Sequence, residues 1–366
     1  MKKKRIYYRS FAVIVFIGFL ISSCLPRPVN KPVNRNVDPS LPAPTSRLST
    51  SVPAENDVFC ERPYQDSSVW NTPIDWSIAR IHPMSDLMMN AFFKNGDWIG
   101  TDTSQYTPNV YLASNSTPLV PVQLRQYRFR DAISDTVVNY GEPAGIVQMP
   151  LPSGAQPALG TDGQLVVINV DTGEEWGLND GSIDGKGKWF AGGVYRYSIK
   201  NSGIPPEGFG QRGAGIGQLA GIVRRCEVDR GRIGHAVTLA YDYPCAPEVC
   251  QANGWPASIP PFRKTDGIGN FKFDAPEGAR IAIRPEIPQE EIDKACAGIK
   301  GCIVWVQAME EYGGFIVDKS GHPKTYAEGN PTAHWDPSVW TDDMLKNIPT
   351  DWYVVIDWNS PSTKVQ

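Results

Sequence analysis

Short stretches of alternating apolar and polar residues recur along the chain, each bounded by clusters of glycine, proline, asparagine or aspartate. Alternation with a period of two is typical of strands that bury one face, and the bounding clusters are turn signals. The pattern predicts a mainly β fold, an antiparallel β-sandwich or jelly-roll-like domain. The predicted strands are residues 119–129, 164–170, 188–199, 232–243, 278–284, 314–321 and 351–358.

Two or three peripheral helices are predicted to interrupt these strands. Residues 85–96 begin with Ser85, a candidate N-cap, and end at Gly96. Residues 287–296 begin with proline and acidic side chains, and residues 303–314 end in a glycine pair that suits a C-cap.

The first 23 residues have the pattern of a bacterial lipoprotein signal peptide. A basic start precedes an apolar run, Phe11 to Ile21, that is too short for a comfortable membrane span. Small residues then precede Cys24, the predicted lipidation site. An ordinary signal peptide cleaved nearby is the alternative, and both predict export. With lipidation, the protein would be held at the bacterial cell surface or periplasmic face by its lipid alone.

Residues 24–57 are rich in proline, asparagine and serine and predict a disordered tether, whereas residues 58–366 predict a single β-rich domain. The formal net charge is −4, and the basic residues form no stripe along the chain. The sequence therefore lacks the clustered positive charge that is typical of nucleic-acid-binding proteins. No prediction of oligomeric state follows.

Six cysteines remain after Cys24, an even number that predicts disulfides in an exported chain. Cys245 and Cys250, and likewise Cys296 and Cys302, are near enough to close local loops, which would leave Cys60 with Cys226. A zinc site is the alternative, but no C-x-x-C pair is present. We predict no metal and no cofactor.

His235 lies in the middle of the predicted strand 232–243, on the same face as Tyr241. Two interpretations remain open. In the first, this face is core, and His235 is satisfied by a backbone carbonyl or a carboxylate. Alternatively it lines a concave cleft, where an imidazole serves readily as general acid or base.

Three loop aspartates are candidate catalytic acids. Asp162 and Asp266 each lie in a Thr-Asp-Gly triplet, and Asp318 follows an apolar run. Carboxylates are the groups that glycoside hydrolysis requires. Aspartate followed by glycine is also ordinary turn chemistry, which is the alternative interpretation.

Aromatic side chains suggest carbohydrate contacts, because the apolar faces of sugar rings stack on them. Trp70 with Asn71, Trp189 and Trp255 are candidate substrate-binding residues. A role in the core is the alternative for each of them.

The chain resembles a functionally unassigned family of exported bacterial β-rich proteins. The resemblance rests on the order of "SVWNTPI", "GRIGHAV", "WPASIPPFRKTDG", "PEGARIAI" and "YGGFIVD", and it spans roughly residues 66–358. It draws attention to His235, Asp266, Arg280 and Asp318, which match the family pattern. Many relatives carry an arginine shortly after the His-Ala-Leu triplet of this strand, where this chain has Thr238 and Leu239. If that arginine binds substrate in relatives, Arg280 or Arg284, which share one face of their predicted strand, is the predicted substitute.

These observations predict a surface-anchored enzyme that cleaves a polysaccharide. A hydrolase would use the three aspartates, whereas a lyase would use His235, Tyr241 and Arg280 as base, acid and cation. The alternative is a non-catalytic carbohydrate-binding lipoprotein. The chain carries no G-x-S-x-G or H-E-x-x-H motif, so a serine esterase or zinc peptidase is not favoured.

Overall fold

The structure, a computed structural model, describes residues 60, 62–125, 128–139 and 145–360. The predicted signal peptide, Cys24 and the tether lie outside the described residues. All described residues belong to one unit of the chain, Ser46–Gln366. Among them, no helix combines the length and hydropathy that crossing a bilayer requires.

The described chain is mainly β, as predicted, with six α-helices between or beside the strands. The strands are β1 (Gly100–Thr101), β2 (Asn109–Ala113), β3 (Leu119–Leu124), β4 (Arg128–Asp131), β5 (Thr136–Asn139), β6 (Ile146–Pro150), β7 (Leu165–Asn169), β8 (Glu174–Asn179), β9 (Ser182–Ile183), β10 (Trp189–Ala191), β11 (Gly193–Ser198), β12 (Val237–Tyr241), β13 (Arg280–Ile283), β14 (Gly314–Lys319), β15 (Lys324–Thr325) and β16 (Tyr353–Val355). The helices are α1 (Ser85–Phe92), α2 (Arg225–Arg230), α3 (Pro247–Ala252), α4 (Gln289–Ala295), α5 (Lys300–Glu311) and α6 (Asn330–Ala333).

The strands form three sheets. Sheet A has the order β1-β15-β12-β14-β13-β16, sheet B the order β6-β3-β10-β9, and sheet C the order β2-β7-β8-β11-β4-β5. Antiparallel pairs predominate, but each sheet also contains a parallel pair, such as β12 with β14 in sheet A. The sheets are therefore mixed, because long connections between strands allow a parallel return that a hairpin does not.

Two apolar interfaces hold the sheets together. Sheets B and C pack face to face through a buried cluster that includes Val122 of β3 and Leu178 of β8. Sheets C and A meet through a second cluster, in which Tyr195 of β11 and Phe315 of β14 take part. The outer face of sheet A is covered by α1 and α5, with Trp305 fully buried. The packing is that of a sandwich with peripheral helices.

The predicted helices α1, α4 and α5 are present, and α2, α3 and α6 are short additions. The N-cap assignment to Ser85 was wrong. Met84 holds the cap position, and the Ser85 hydroxyl instead accepts a hydrogen bond from Val355 N at 2.9 Å. The predicted C-terminal glycine is present after α5, where Gly313 adopts φ +65°.

The three predicted disulfides are confirmed as Cys60–Cys226, Cys245–Cys250 and Cys296–Cys302. The first joins the start of the described chain to α2, and the other two close short loops beside α3 and between α4 and α5. Three disulfides indicate an oxidising, extracytoplasmic compartment.

Candidate active site

A cleft of about 370 Å³ opens where sheets A and C approach each other. Sheet C contributes β4, the start of β11 and the turns beside β7 and β8. The opposite wall consists of the end of β14 and two loop segments, 210–213 and 264–266. Most of the residues that line the cleft are polar, and among the described residues that form it none is aromatic. The polar members are Arg128, Arg130, Thr161, Asp162, Gln164, Asn179, Asp180, Gln211, Arg212, Gln218, Lys264, Asp266 and Asp318.

Three carboxylates converge at this cleft. Single oxygens of Asp266, Glu277 and Asp318 all lie within 4.8 Å of one another. Asp266 and Asp318 are half-buried and line the cleft, whereas Glu277 is fully buried behind them. All three predicted loop acids, including the exposed Asp162, therefore lie at one cleft.

A β-bulge precedes Asp318. In the pairing of β12 with β14, Leu239 is opposite Ile316 while the next residue, Ala240, is opposite Asp318, so Val317 is the extra residue. A bulge changes the direction of the side chains that follow it. It allows Asp318 to reach the cleft between the sheets, although Ile316, two residues earlier, packs in the cluster beneath the helices.

The Asp266 and Glu277 side chains pack against Gly213. A Cβ atom at this glycine would lie 2.2 Å from Glu277 Oε1 and 2.5 Å from Asp266 Oδ1, so no other residue fits without displacing a carboxylate. The Asp266 backbone N–H also donates to Glu277 Oε2 at 3.3 Å. Glu277 Oε1 and Asp266 Oδ1 are buried, and neither oxygen has a hydrogen-bond partner among the described residues.

Burial dominates the electrostatics of this cluster. Burial raises the pKa of Glu277 to about 10, and the nearby charge of Asp266 adds to the rise. Burial likewise raises the pKa of Asp318 to about 6, although Arg212 opposes the shift. Glu277 is thus neutral at physiological pH, because burial disfavours its charged form.

Arg212 lies in a tight hairpin. Gln211 and Ile216 exchange two backbone hydrogen bonds, and Ala214 N donates to Val317 O at 2.8 Å, which ties the turn to β14. The backbone of Arg212 adopts φ +55°, a conformation that is uncommon for residues other than glycine. Its guanidinium lies 4.2 Å from the centre of the Tyr326 ring, and Nη1 lies 3.7 Å from Asp318 Oδ2.

Asp162 is presented by a turn that packs on the turn after β8. Asp180 N donates to Asp162 O at 2.6 Å, and Gly181 N donates to Gly163 O at 3.2 Å. Gly163 has φ +45°, and a Cβ there would lie 2.2 Å from Gly181 O. The Thr-Asp-Gly triplet is therefore both a required turn and the support of a cleft residue.

His235 is placed in the core. Strand β12 begins at Val237, so the prediction of His235 within the strand was wrong. The imidazole is 1% exposed, and its Nδ1 contacts Ala236 O at 2.8 Å while Nε2 contacts Glu227 Oε1 at 3.1 Å. Both partners are acceptors, so both ring nitrogens donate. Burial lowers the pKa of His235, but Glu227 outweighs it and the net shift is upward.

The other two members of the lyase set are also buried away from the lining of the cleft. Tyr241 is 1% exposed, and its hydroxyl donates to Ala275 O at 2.9 Å. Arg280 donates to Tyr312 O and to Thr72 O, each at 2.7 Å, and packs over the Phe315 ring. These backbone contacts account for the position of both side chains.

The candidate sugar-stacking residues do not line the cleft either. Trp70 packs edge-on against Phe262 and Phe315 in the core, and Asn71 donates to three backbone carbonyls, those of residues 63, 64 and 65. Trp189 is buried between sheets B and C. Trp255 is half-buried against His82 and Trp358. The three tryptophans therefore pack in the core or in an aromatic cluster, as the alternative interpretation predicted.

By distance alone, the three carboxylates could surround a cation. Arg212, however, already brings a fixed positive charge to Asp318, and a second cation there would meet its repulsion. We therefore assign no metal to the cluster.

Sequence reasoning missed Glu277 and Arg212. Glu277 lies in "PEGAR", where a charged residue stands at the start of a buried strand, and Arg212 lies in the glycine-dense segment "GQRGAGIG". A run of glycines around one charged residue is a usable signal, because glycine permits close approach of the backbone to a functional group.

No family model, curated protein or solved structure matches the chain. The resemblance to a functionally unassigned exported family stays a prediction, and the chemistry of the cleft is inferred from its geometry.

Proposed function

We propose that the protein is a glycoside hydrolase that cleaves a polysaccharide at the cleft of Asp266 and Asp318. The observation that carries this proposal is the convergence of these two half-buried carboxylates, within 4.8 Å, over the buried Glu277. Carboxylate oxygens no more than 4.8 Å apart are nearer to the spacing of retaining glycosidases, which form a covalent glycosyl-enzyme, than to the wider spacing of inverting ones.

The two carboxyl groups differ in a way that suits two roles. The pKa of Asp318 is about 6, so a fraction of this side chain is still protonated near neutral pH and can serve as general acid for the leaving oxygen. Asp266, whose carboxylate packs beside that of neutral Glu277 against Gly213, is the nucleophile. Glu277 is a positioning residue, because it is fully buried and does not reach the cleft.

The lining of the cleft favours catalysis over simple binding. A non-catalytic carbohydrate binder would present a strip of aromatic rings, yet none of the eleven tryptophans, all of them described, is exposed. The cleft instead presents acids and bases in a water-accessible recess. A lyase is less favoured, because His235, Tyr241 and Arg280 do not line the cleft.

The test is a reducing-end assay with purified protein on neutral and acidic polysaccharides, alongside Asp266→Asn and Asp318→Asn. We expect new reducing ends with retained anomeric configuration, and a loss of roughly 10²-fold to 10⁴-fold in each variant. Exposed Asp97 offers a matched control, Asp97→Asn. Unsaturated uronate products would instead indicate a lyase, and undiminished cleavage by both variants would overturn the assignment of the site.

A further inference from the structure

Four cations face the same cleft as the proposed catalytic acids. Arg128 and Arg130 extend from one face of β4, Arg212 from the hairpin, and Lys264 from the loop before Asp266. Arg128 and Arg130 form no ion pair with a described carboxylate, and Asp180, across the cleft, pairs with Arg125 instead. Arg128, Arg130 and Arg212 form the part of the lining that we call the cationic wall, and its first two members have no ion-pair partner among the described residues, although four aspartates line other parts of the cleft.

The Arg212 guanidinium is the clearest sign of a missing partner. Its side chain is only 1% exposed, yet none of its three nitrogens has a hydrogen-bond partner among the described residues. Asp318 lies beyond hydrogen-bond distance at 3.7 Å. A buried guanidinium without hydrogen bonds is costly, so an arriving anion would find an unusually favourable donor.

Arg130 shows the same condition less strongly. Its Nε is buried without a partner, and Nη1 donates only to Gly210 O at 3.3 Å. Burial and the neighbouring charge of Arg128 lower the pKa of Arg130, as expected for two guanidinium groups that repel each other. An anion between them would relieve this repulsion.

We propose that this cationic wall binds a carboxylate of the substrate, so that the natural substrate is a uronate-containing polysaccharide. The inference rests on the proposed function, because it places the scissile bond over Asp266 and Asp318 and the uronate carboxylate toward Arg128, Arg130 and Arg212. A planar guanidinium matches the two oxygens of a carboxylate in a bidentate contact. Sulfate esters and phosphates share this chemistry and are separated by the test.

The experiment compares a polyuronate with the same polymer after reduction of its carboxyl groups to alcohols. We expect kcat/KM to be about 10-fold to 100-fold higher on the acidic polymer, the range that charged hydrogen bonds provide. Arg130→Gln should narrow this ratio, and Arg130→Lys should restore part of it. Arg80→Gln, a change at an exposed arginine away from the cleft, should leave the ratio unchanged. A sulfated and a phosphorylated neutral glycan complete the panel.

Equal cleavage of the acidic and reduced polymers, or preference for the sulfated or phosphorylated glycan, would overturn the uronate assignment. Binding separates this failure from failure of the proposed function. If no polymer is cleaved, calorimetric titration with the polyuronate still reports on the cationic wall. Binding that weakens with salt and with Arg130→Gln supports the inference without catalysis. Equal binding of the acidic and reduced polymers overturns it.

Discussion

Asp318 Oδ2 lies 3.7 Å from Nη1 of Arg212, and the two side chains come from different elements, the bulged strand β14 and the hairpin tied to it. The aspartate side chain is 17% exposed and the arginine side chain 1%. Burial raises the pKa of Asp318 to about 6, and Arg212 restrains that rise. Burial and the Arg212 charge together therefore determine the pH at which the proposed general acid loses its proton.

We expect kcat/KM to fall as pH rises through about 6, because Asp318 must be protonated to act as the acid. Arg212→Asn removes the charge that restrains the pKa of Asp318, and asparagine tolerates the left-handed backbone conformation at this position. The pH at which kcat/KM falls should therefore rise by about 0.5 to 1 pH unit. The measurement is a pH–rate profile, with Arg80→Gln as the control. If the pH at which kcat/KM falls stays the same or decreases in this variant, Arg212 does not lower the pKa of Asp318.

Glu277→Gln should change how stability depends on pH. The pKa of Glu277 is raised from 4.5 to about 10, so its stabilising contribution is complete below about pH 4.5 and is lost as pH rises toward 10. The Gln variant mimics the neutral acid and lacks this loss. The Tm of the variant minus that of the wild type should therefore increase by at least about 2–4 °C between pH 5 and pH 9. Parallel Tm curves would show that Glu277 is ionised in the native state.

Gly213→Ala should separate the Asp266 and Glu277 carboxylates, because the new Cβ would lie 2.2 Å from one and 2.5 Å from the other. We expect a destabilisation of about 1–3 kcal/mol and a loss of activity of at least about tenfold. Gly185→Ala is the matched control, since a Cβ there meets nothing within 4 Å. Denaturant unfolding and the reducing-end assay measure the two effects, and equal behaviour of both variants would refute the close contact.

His235→Ala should reduce stability without touching the cleft. It leaves Glu227 buried without its ion-pair partner, a loss of about 3–5 kcal/mol. Because the pKa of His235 is raised above 6.5 in the folded state, this stabilisation is present below about pH 6.5 and declines as pH rises through the raised pKa. The Tm gap between wild type and variant should narrow accordingly. Loss of activity at 25 °C in a variant that is still folded would restore a catalytic role.

The three disulfides should contribute unequally. Cys60–Cys226 spans 166 residues, whereas Cys245–Cys250 spans 5. Loop-closure entropy predicts that the double serine variant of the first pair loses about 3 kcal/mol more than that of the second. Chemical denaturation of the two variants measures the difference. A larger loss from the short loop would mean that native contacts, rather than the unfolded chain, dominate.

Local patterns carried the mainly β class, helices α1, α4 and α5, and the disulfide pairing. Alternation, capping residues and the spacing of the two local cysteine pairs each act over a few residues, so they can be recognised without knowledge of the fold. Cys60–Cys226, 166 residues apart, followed only as the pair that remained. The three aspartates were found for a similar reason. Asp162 and Asp266 stand before glycine in turns, and turns at strand ends are where side chains reach the surface.

The sequence by itself therefore determined the strand-rich class, the cysteine framework and a short set of acids that the folded chain brings to one cleft. Only the tertiary structure decided that His235 pairs with Glu227 in the core, and that Arg212 and Glu277 stand beside Asp318 and Asp266. Burial and charge pairing between distant segments make these assignments, since the pKa and exposure of a side chain depend on neighbours that its own stretch of sequence does not contain.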